Sequence, residues 1–575
     1  MASRTDTGAA AGPRAPSWHG AAIALAAVAV VLLVGFPLAE LVATAFAQGA
    51  GPLRAVLTGD RALSAVRNTL LTGVVVTGFA LVGGTAAALV TERSRAPGRA
   101  WLRVGLLVQL VIASFVGALG WAQAYGPGGL TDDLLGFALP GLYGVAGVVT
   151  VLSVQGVTLA YVVVAAGLAS RVEPDLERAA RASGASAWSA LRTITLPLLR
   201  PTLLAAAALS FVSTVNAFGV PAVLGSPAGF VTVTTRIYSD LILSADPAAF
   251  SRVILLASGL VLLTLVVVGA VDLGESVRGA VTRTSAPPGG VPPGVGGRVA
   301  AGLLWGYVVL TTVVPLVALV LTALTRAVGL PAVPANWTLR HFREALTGLG
   351  GQALGRSVLL ALAAATIVVG LGGLLTALRR RVAGRGLSTL ATLPFAVPGS
   401  ALAVGVLLAY GRWLRDTLLL ILIAYLAKFW ALGHRPIAGA ADGQPPDLAL
   451  AARASGAGPV TALRTVTLPL LRPALAAAWL LVFLAGFDEL TMSSLLYGPG
   501  SETLAVVILN LQQLGDISVT TALAVILTGV VIAAAALLTV VRRATLVSVW
   551  GPSLRDGHKR RLGESLRGLR DSRLR

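Results

Sequence analysis

Leu176–Leu203 reads LERAARASGASAWSALRTITLPLLRPTL, and Leu448–Leu475 reads LALAARASGAGPVTALRTVTLPLLRPAL. The two stretches align without a gap at an offset of 272 residues, and 20 of their 28 positions are identical. Each has a helical composition interrupted by a glycine, carries a Leu-Pro near its end, and runs directly into a long apolar stretch. A repeat of this kind specifies the architecture before any local element is assigned. It implies two homologous halves, each presenting the same element beside a membrane.

The composition agrees. Of 575 residues, 56% are apolar and only 12% are charged, about half the charged share of a soluble protein. Mean hydropathy is +0.85, and apolar runs of about 20 residues, enough to cross about 30 Å of hydrocarbon as a helix, recur along the chain. The expected fold is an all-α polytopic membrane protein with two homologous six-helix transmembrane domains. Twelve spans are expected, near 20–46, 68–91, 101–123, 142–169, 202–224 and 252–274, then near 299–325, 356–378, 387–410, 417–438, 474–496 and 519–541. The expected domains are a segment 1–19, a first six-helix domain 20–284, a linker 285–298, a second six-helix domain 299–545 and a basic tail 546–575. The linker, SAPPGGVPPGVGGR, is too rich in Pro and Gly to continue a helix.

The net charge of +20 follows topology and lipid headgroups rather than nucleic acid. Glu92–Arg103 and Arg379–Arg385 carry four Arg each, whereas Ala124–Gly141 and Tyr497–Ser518 carry none and Gly225–Phe250 only Arg236. Positive residues stay on the cytoplasmic side, so both repeated stretches, the linker and both termini are expected there. Arg326, Arg340 and Arg343 fall in a loop placed outside, against the trend. Ala45-Phe46-Ala47 resembles a signal cleavage site, but the apolar stretch before it exceeds a signal core of about 7–15 residues, so an uncleaved first helix is expected. The chain has no cysteine, and His19, His341, His434 and His558 are scattered, which excludes a disulfide framework and leaves no metal-binding motif.

The repeated stretches resemble the signature of the membrane subunits of bacterial ATP-binding-cassette importers, written E-A-A-x3-G-x9-I-x-L-P. Ala179, Ala180, Gly184, Ile194, Leu196 and Pro197 fit it in the first half, and Ala451, Ala452, Gly456, Val466, Leu468 and Pro469 in the second. Arg178 and Leu450 stand at the Glu position, Val466 replaces Ile, and Glu177, one residue early, has only Ala449 as its counterpart. Small residues permit close approach of another surface, and Gly184 permits a sharp turn. The Leu-Pro and the following Arg200-Pro201 and Arg472-Pro473 are expected to halt one helix and start the span. The resemblance implies a cytoplasmic coupling helix in each half, seated in a cleft of an ATPase subunit. It implies two copies of that cytoplasmic ATPase and an extracytoplasmic substrate-binding protein as partners. The plain alternative, an amphipathic linker on the membrane surface, does not call for so close a repeat.

A Walker-type phosphate loop ends in Gly-Lys-Ser/Thr, and the two lysines, Lys428 in AKF and Lys559 in HKR, do not fit it. ATP and Mg are therefore expected on the partner subunits, with no cofactor and no catalytic residue in this chain. Ionisable groups within spans are functional candidates. Asp488 and Glu489 lie in the eleventh span, Asp488 about 20 Å from its cytoplasmic end; the repeat offset makes Asn216 its counterpart, and Lys428 lies in the tenth span. These four are pathway candidates, with polar helix packing as the alternative.

Over residues 20–545 the layout resembles the fused permeases of the ferric-iron, thiamine and polyamine importer group. Glu489–Asp516 and Phe218–Gly225 look most like the ferric-iron members, so ferric iron is the expected substrate, with thiamine, polyamine or phosphonate-type substrates as alternatives. An ion-coupled carrier also has twelve spans in two halves, but needs no repeated docking segment. A membrane scaffold leaves Asp488-Glu489 unexplained.

Overall fold

The computed structural model of the chain describes residues 17–94, 96–171, 174–276, 295–378, 397–444 and 447–537. The loop Arg379–Arg385, the start of the ninth expected span, most of the linker and the basic tail lie outside these residues. The described chain is helical, apart from connections and one isolated bridge between Thr325 and Trp337.

Besides short helices at Ala50–Thr58 and Leu130–Leu135, the first half holds α1 (Ala24–Ala47), α2 (Asp60–Arg93), α3 (Arg99–Val111), α4 (Ser114–Tyr125), α5 (Val145–Ser170), α6 (Pro174–Ala182), α7 (Trp188–Val215), α8 (Val233–Tyr238) and α9 (Ala249–Ala270). The second half repeats them: α10 (Val295–Leu324), α11 (Leu349–Ala377), α12 (Gly399–Leu414), α13 (Leu418–Asp442), α14 (Asp447–Ala454), α15 (Leu463–Phe487), α16 (Leu504–Leu514) and α17 (Ile517–Leu537). Ten of these are long and apolar enough to cross a membrane. The remaining two expected spans are the third, which is broken, and the ninth, of which α12 is the described part.

The third span bends by 109° between α3 and α4. Ala113 takes an extended conformation there (φ −53°, ψ 134°), and Pro398 takes the same one (φ −55°, ψ 138°) before α12. Proline explains the second case, since its own N–H is missing and it forces the residue before it out of the helix. No proline or glycine occupies positions 111–114, so the first break is imposed by packing: Gly219 sits against the Phe115 backbone.

The expectation that Leu-Pro halts a helix is corrected. The helix runs from Trp188 through Pro197 to Val215, and from Leu463 through Pro469 to Phe487. Just ahead of each proline the backbone widens into a single π turn, Leu191–Thr195 and Leu463–Thr467. The same happens at Val31–Gly35 before Pro37 and at Val309–Val313 before Pro315. A proline lacks an N–H and its ring crowds the carbonyl four residues back; widening one turn relieves both without breaking the helix. The fifth and eleventh spans consequently begin and end earlier than expected.

Two stretches expected as external loops also differ. Within 225–250 and 497–518 lie α8 and α16, whose first residues are buried. Each is anchored alike: Thr69 Oγ1 on α2 accepts the Val233 N–H at 2.8 Å, and Ser357 Oγ on α11 accepts the Leu504 N–H at 2.8 Å. A helix whose first N–H is met by a hydroxyl can be buried at low cost.

The first span of each half packs on the other half. α1 lies against α12, and α10 against α4. Tyr410 donates to the Leu32 carbonyl at 2.6 Å, and Tyr125 to the Leu310 carbonyl at 2.5 Å. Beside these bonds Gly405 faces the Pro37 carbonyl and Gly120 the Pro315 carbonyl; a Cβ on either would stand 2.7 Å and 3.1 Å from the oxygen. Glycine is what lets the backbones approach. Gly405→Ala is expected to destabilise the protein by about 1–3 kcal/mol, whereas Gly259→Ala, with no atom within 4 Å of its Cβ position, is expected to be neutral. Thermal unfolding of the two purified variants checks this; equal midpoints would contradict the crossing.

Candidate functional site

α6 and α14 end in the same turn. Gly184 has φ +91° and Gly456 φ +87°, a left-handed conformation that glycine adopts without strain. The Gly184 and Ala185 N–H groups reach the carbonyls of Arg181 and Ala180 at 3.1 and 3.0 Å, and Gly456 and Ala457 reach Arg453 and Ala452 at 3.0 and 3.1 Å. No atom lies within 4 Å of where a Cβ would stand on either glycine. Ala179, Gly184, Ala451, Gly456 and Leu468 are exposed, and Ala180, Ile194, Leu196, Pro197, Ala452, Val466 and Pro469 are half-buried. Each signature thus forms a short helix, a tight turn and the start of a span, with an open surface over the turn.

The two copies are held differently. Glu177 pairs with Arg93 at the end of α2 at 3.3 Å and accepts a hydrogen bond from the Thr195 hydroxyl. Beside it Arg103 pairs with Glu92 at 2.6 Å, and Tyr161 donates to Glu92 at 3.3 Å. Glu177 therefore faces its own half rather than the open surface. In the second copy Ala449 stands at that position and cannot ion-pair, while Leu450 is 58% exposed. The early acidic residue was visible in the sequence; its partner, 84 residues away, was not.

The pathway candidates separate. Asp488 is the C-cap of α15 and Asn216, 272 residues earlier, the C-cap of α7. Neither lies inside a continuous span, because both helices end there. Asp488 lines a cavity of about 270 Å³ with Gln109, Gln155, Ser210, Ser213 and Thr214. Asn216 is half-buried, its Oδ1 without a protein partner. Glu489 turns away to cap the next short helix, accepting from the Met492 and Ser493 N–H groups at 2.8 and 3.0 Å. Lys428 donates to the Val397 carbonyl, and its charge interacts with that of Glu489. Both contacts lie beside the helix breaks that precede α12 and follow α15. Sequence reasoning missed Gln109, which donates to Thr311 and Thr312 at 2.8 and 2.6 Å and accepts from Thr158 at 2.6 Å, tying α3, α5 and α10 together.

At the opposite end from the signatures, Asp240 is buried between Arg236 and Arg252, at 2.8 and 3.2 Å, and Arg252 also reaches Asp246 at 2.7 Å. The Asp246 carboxyl is held below its usual range first by the Ala248 N–H and then by Arg252. Arg236, Arg252 and Asp246 line a second cavity of about 590 Å³ with Asp60 and Arg61. Among the described residues no group of three His, Cys, Asp or Glu side chains is placed to hold a metal.

Paired six-helix halves with matching exposed signature turns and a polar cavity between them define an ATP-binding-cassette importer permease. The chain belongs to the family of binding-protein-dependent transport system inner membrane components, whose profile matches it twice, at residues 80–275 and 368–546. It is 26% identical over 518 residues to the probable ABC transporter permease protein y4fN of Sinorhizobium fredii, covering 86% of this chain and 90% of that one. It is 26% identical over 510 residues to the Fe(3+)-transport system permease protein FbpB 2 of Haemophilus influenzae, covering 83% and 91%. Over 242 residues it is 29% identical to the putative 2-aminoethylphosphonate transport system permease protein PhnV of Salmonella typhimurium, covering 41% of this chain and 91% of that one.

Glu177→Ala is expected to speed amide exchange across residues 176–185 about tenfold, from the loss of hydrogen bonds to a charged group. Asp175→Ala removes only the exposed pair with Arg178 and should leave exchange unchanged. Hydrogen–deuterium exchange compares the two, and equal rates would remove the tether.

Proposed function

We propose that this permease imports a small polar nutrient by alternating access, energised by two separate ATPase subunits, one on each signature turn. ATP binding draws the two turns together, tilts the halves and opens the cavity to an external binding protein; hydrolysis resets it. The signature ends then face the cytoplasm, in keeping with the arginine distribution of the loops. The observation that carries the reading is the pair of matching left-handed turns at Gly184 and Gly456, each exposed and each continuous with a membrane helix. A rigid helix through the π turn transmits a push at the turn directly into the bundle.

Ferric iron is the substrate that FbpB 2, similar along both halves, supports. An amine-bearing phosphonate is the second reading, favoured by PhnV and by the single carboxylate in the cavity. Asp488 and Asn216 lie at the pathway in this account, and Glu489 and Lys428 hold the walls.

Replacing Gly184 and Gly456 together by Trp strains both turns and fills the space above them. The double variant is expected to insert and fold but to lose uptake at least about tenfold, with ATPase activity no longer stimulated by loaded binding protein. Normal uptake in proteoliposomes would refute the coupling role.

A further inference from the structure

We propose that the cavity of about 270 Å³ at Asp488 is a binding site for a small substrate bearing an ammonium group, assembled from both halves. The inference rests on the importer reading and sharpens its second substrate.

Asp488 is the one ionisable side chain in the lining, and it comes from the second half; the other lining residues all come from the first. The polar groups facing it are amides and hydroxyls: Gln109, Gln155, Ser210, Ser213 and Thr214. Gln109 is consumed by its threonine contacts. Thr214 donates to the Ser210 carbonyl at 2.7 Å, leaving its oxygen free to accept. Ser210 is 1% exposed, and its Oγ has no hydrogen-bond partner in the protein. That hydroxyl is closed off from the cavity, which leaves Gln155, Ser213 and Thr214 as the neutral polar groups of the wall.

An ammonium group carries one positive charge and three N–H donors. The lining offers one carboxyl group and several neutral oxygen acceptors, which matches that demand. A small trivalent metal ion is a poor match, since a hard cation needs several anionic oxygens and the site holds a single carboxylate. The location fits as well. Ile112 and Ser114, on either side of the broken third span, line the cavity, and broken helices at the interface of two repeats are where transporters place substrate.

Because the carboxylate and its facing acceptors belong to different halves, moving the halves apart dismantles the site. Release is thereby tied to the same motion that the ATPase drives.

The test is equilibrium binding to the purified full-length chain in lipid nanodiscs. The probes are radiolabelled 2-aminoethylphosphonate and ethanolamine, with ethylphosphonate, which lacks the ammonium, and ferric citrate as competitors. Saturable binding of both amines is expected, undisplaced by ethylphosphonate or ferric citrate, and weakened at least about tenfold by Asp488→Asn. Thr214→Val, which removes an acceptor without touching charge, should weaken it less and carries the test if Asp488→Asn fails to fold. No amine binding at millimolar concentration, displacement by ethylphosphonate, or unchanged binding in both variants would overturn the proposal. Co-purification of an ATPase with the same chain is scored separately. Amine binding without an ATPase would remove the importer reading and keep the site, whereas an ATPase without amine binding would remove the site alone.

Discussion

The crossing of the two first spans is the contact on which the rest depends. In hydrocarbon no hydrophobic force draws helices together, so association relies on close packing and interhelical hydrogen bonds. Here both occur at one place in each half: a tyrosine hydroxyl on a carbonyl that the proline-widened turn has loosened, and a glycine against the proline beside it. Each half thereby clasps the other. The two signature turns and the cavity between the halves keep a defined relation because of that exchange.

Within this near-symmetric frame the working parts are unequal. Glu177 binds the first signature to α2 and α7, whereas the second has alanine at that position and exposes leucines. Asn216 and Asp488 occupy the same cap, but only one is a carboxyl group. Duplication supplied the frame, and single positions within it have diverged. α7 and α15 each run unbroken from signature to cap, the continuity that the proposed coupling requires.

Much of this was legible in the sequence. The repeat at Leu176 and Leu448 set the two halves, and glycine at 184 and 456 marked the turns that the backbone confirms. Span positions set by long apolar runs, such as α2 and α11, came close. What escaped was decided by contacts between distant residues. Ala113 carries no local signal for a break, and only its resemblance in conformation to Pro398 reveals one. Pro197 and Pro469 read as stops because a proline removes a hydrogen bond, yet a π turn absorbs the loss. The segments around α8 and α16 looked like loops since they are short, and their burial depends on Thr69 and Ser357, far away in sequence. Asp488 is the counterpart of Asn216, as the repeat implied, but it caps a helix rather than lying within one, because the helix ends at Phe487.

The most direct test of the account is the ATPase rate of the reconstituted permease–ATPase complex in proteoliposomes, titrated with substrate-loaded binding protein. Hydrolysis should rise with loaded binding protein outside and be matched by substrate accumulating inside. Uptake that proceeds without ATP and follows an imposed ion gradient would contradict it.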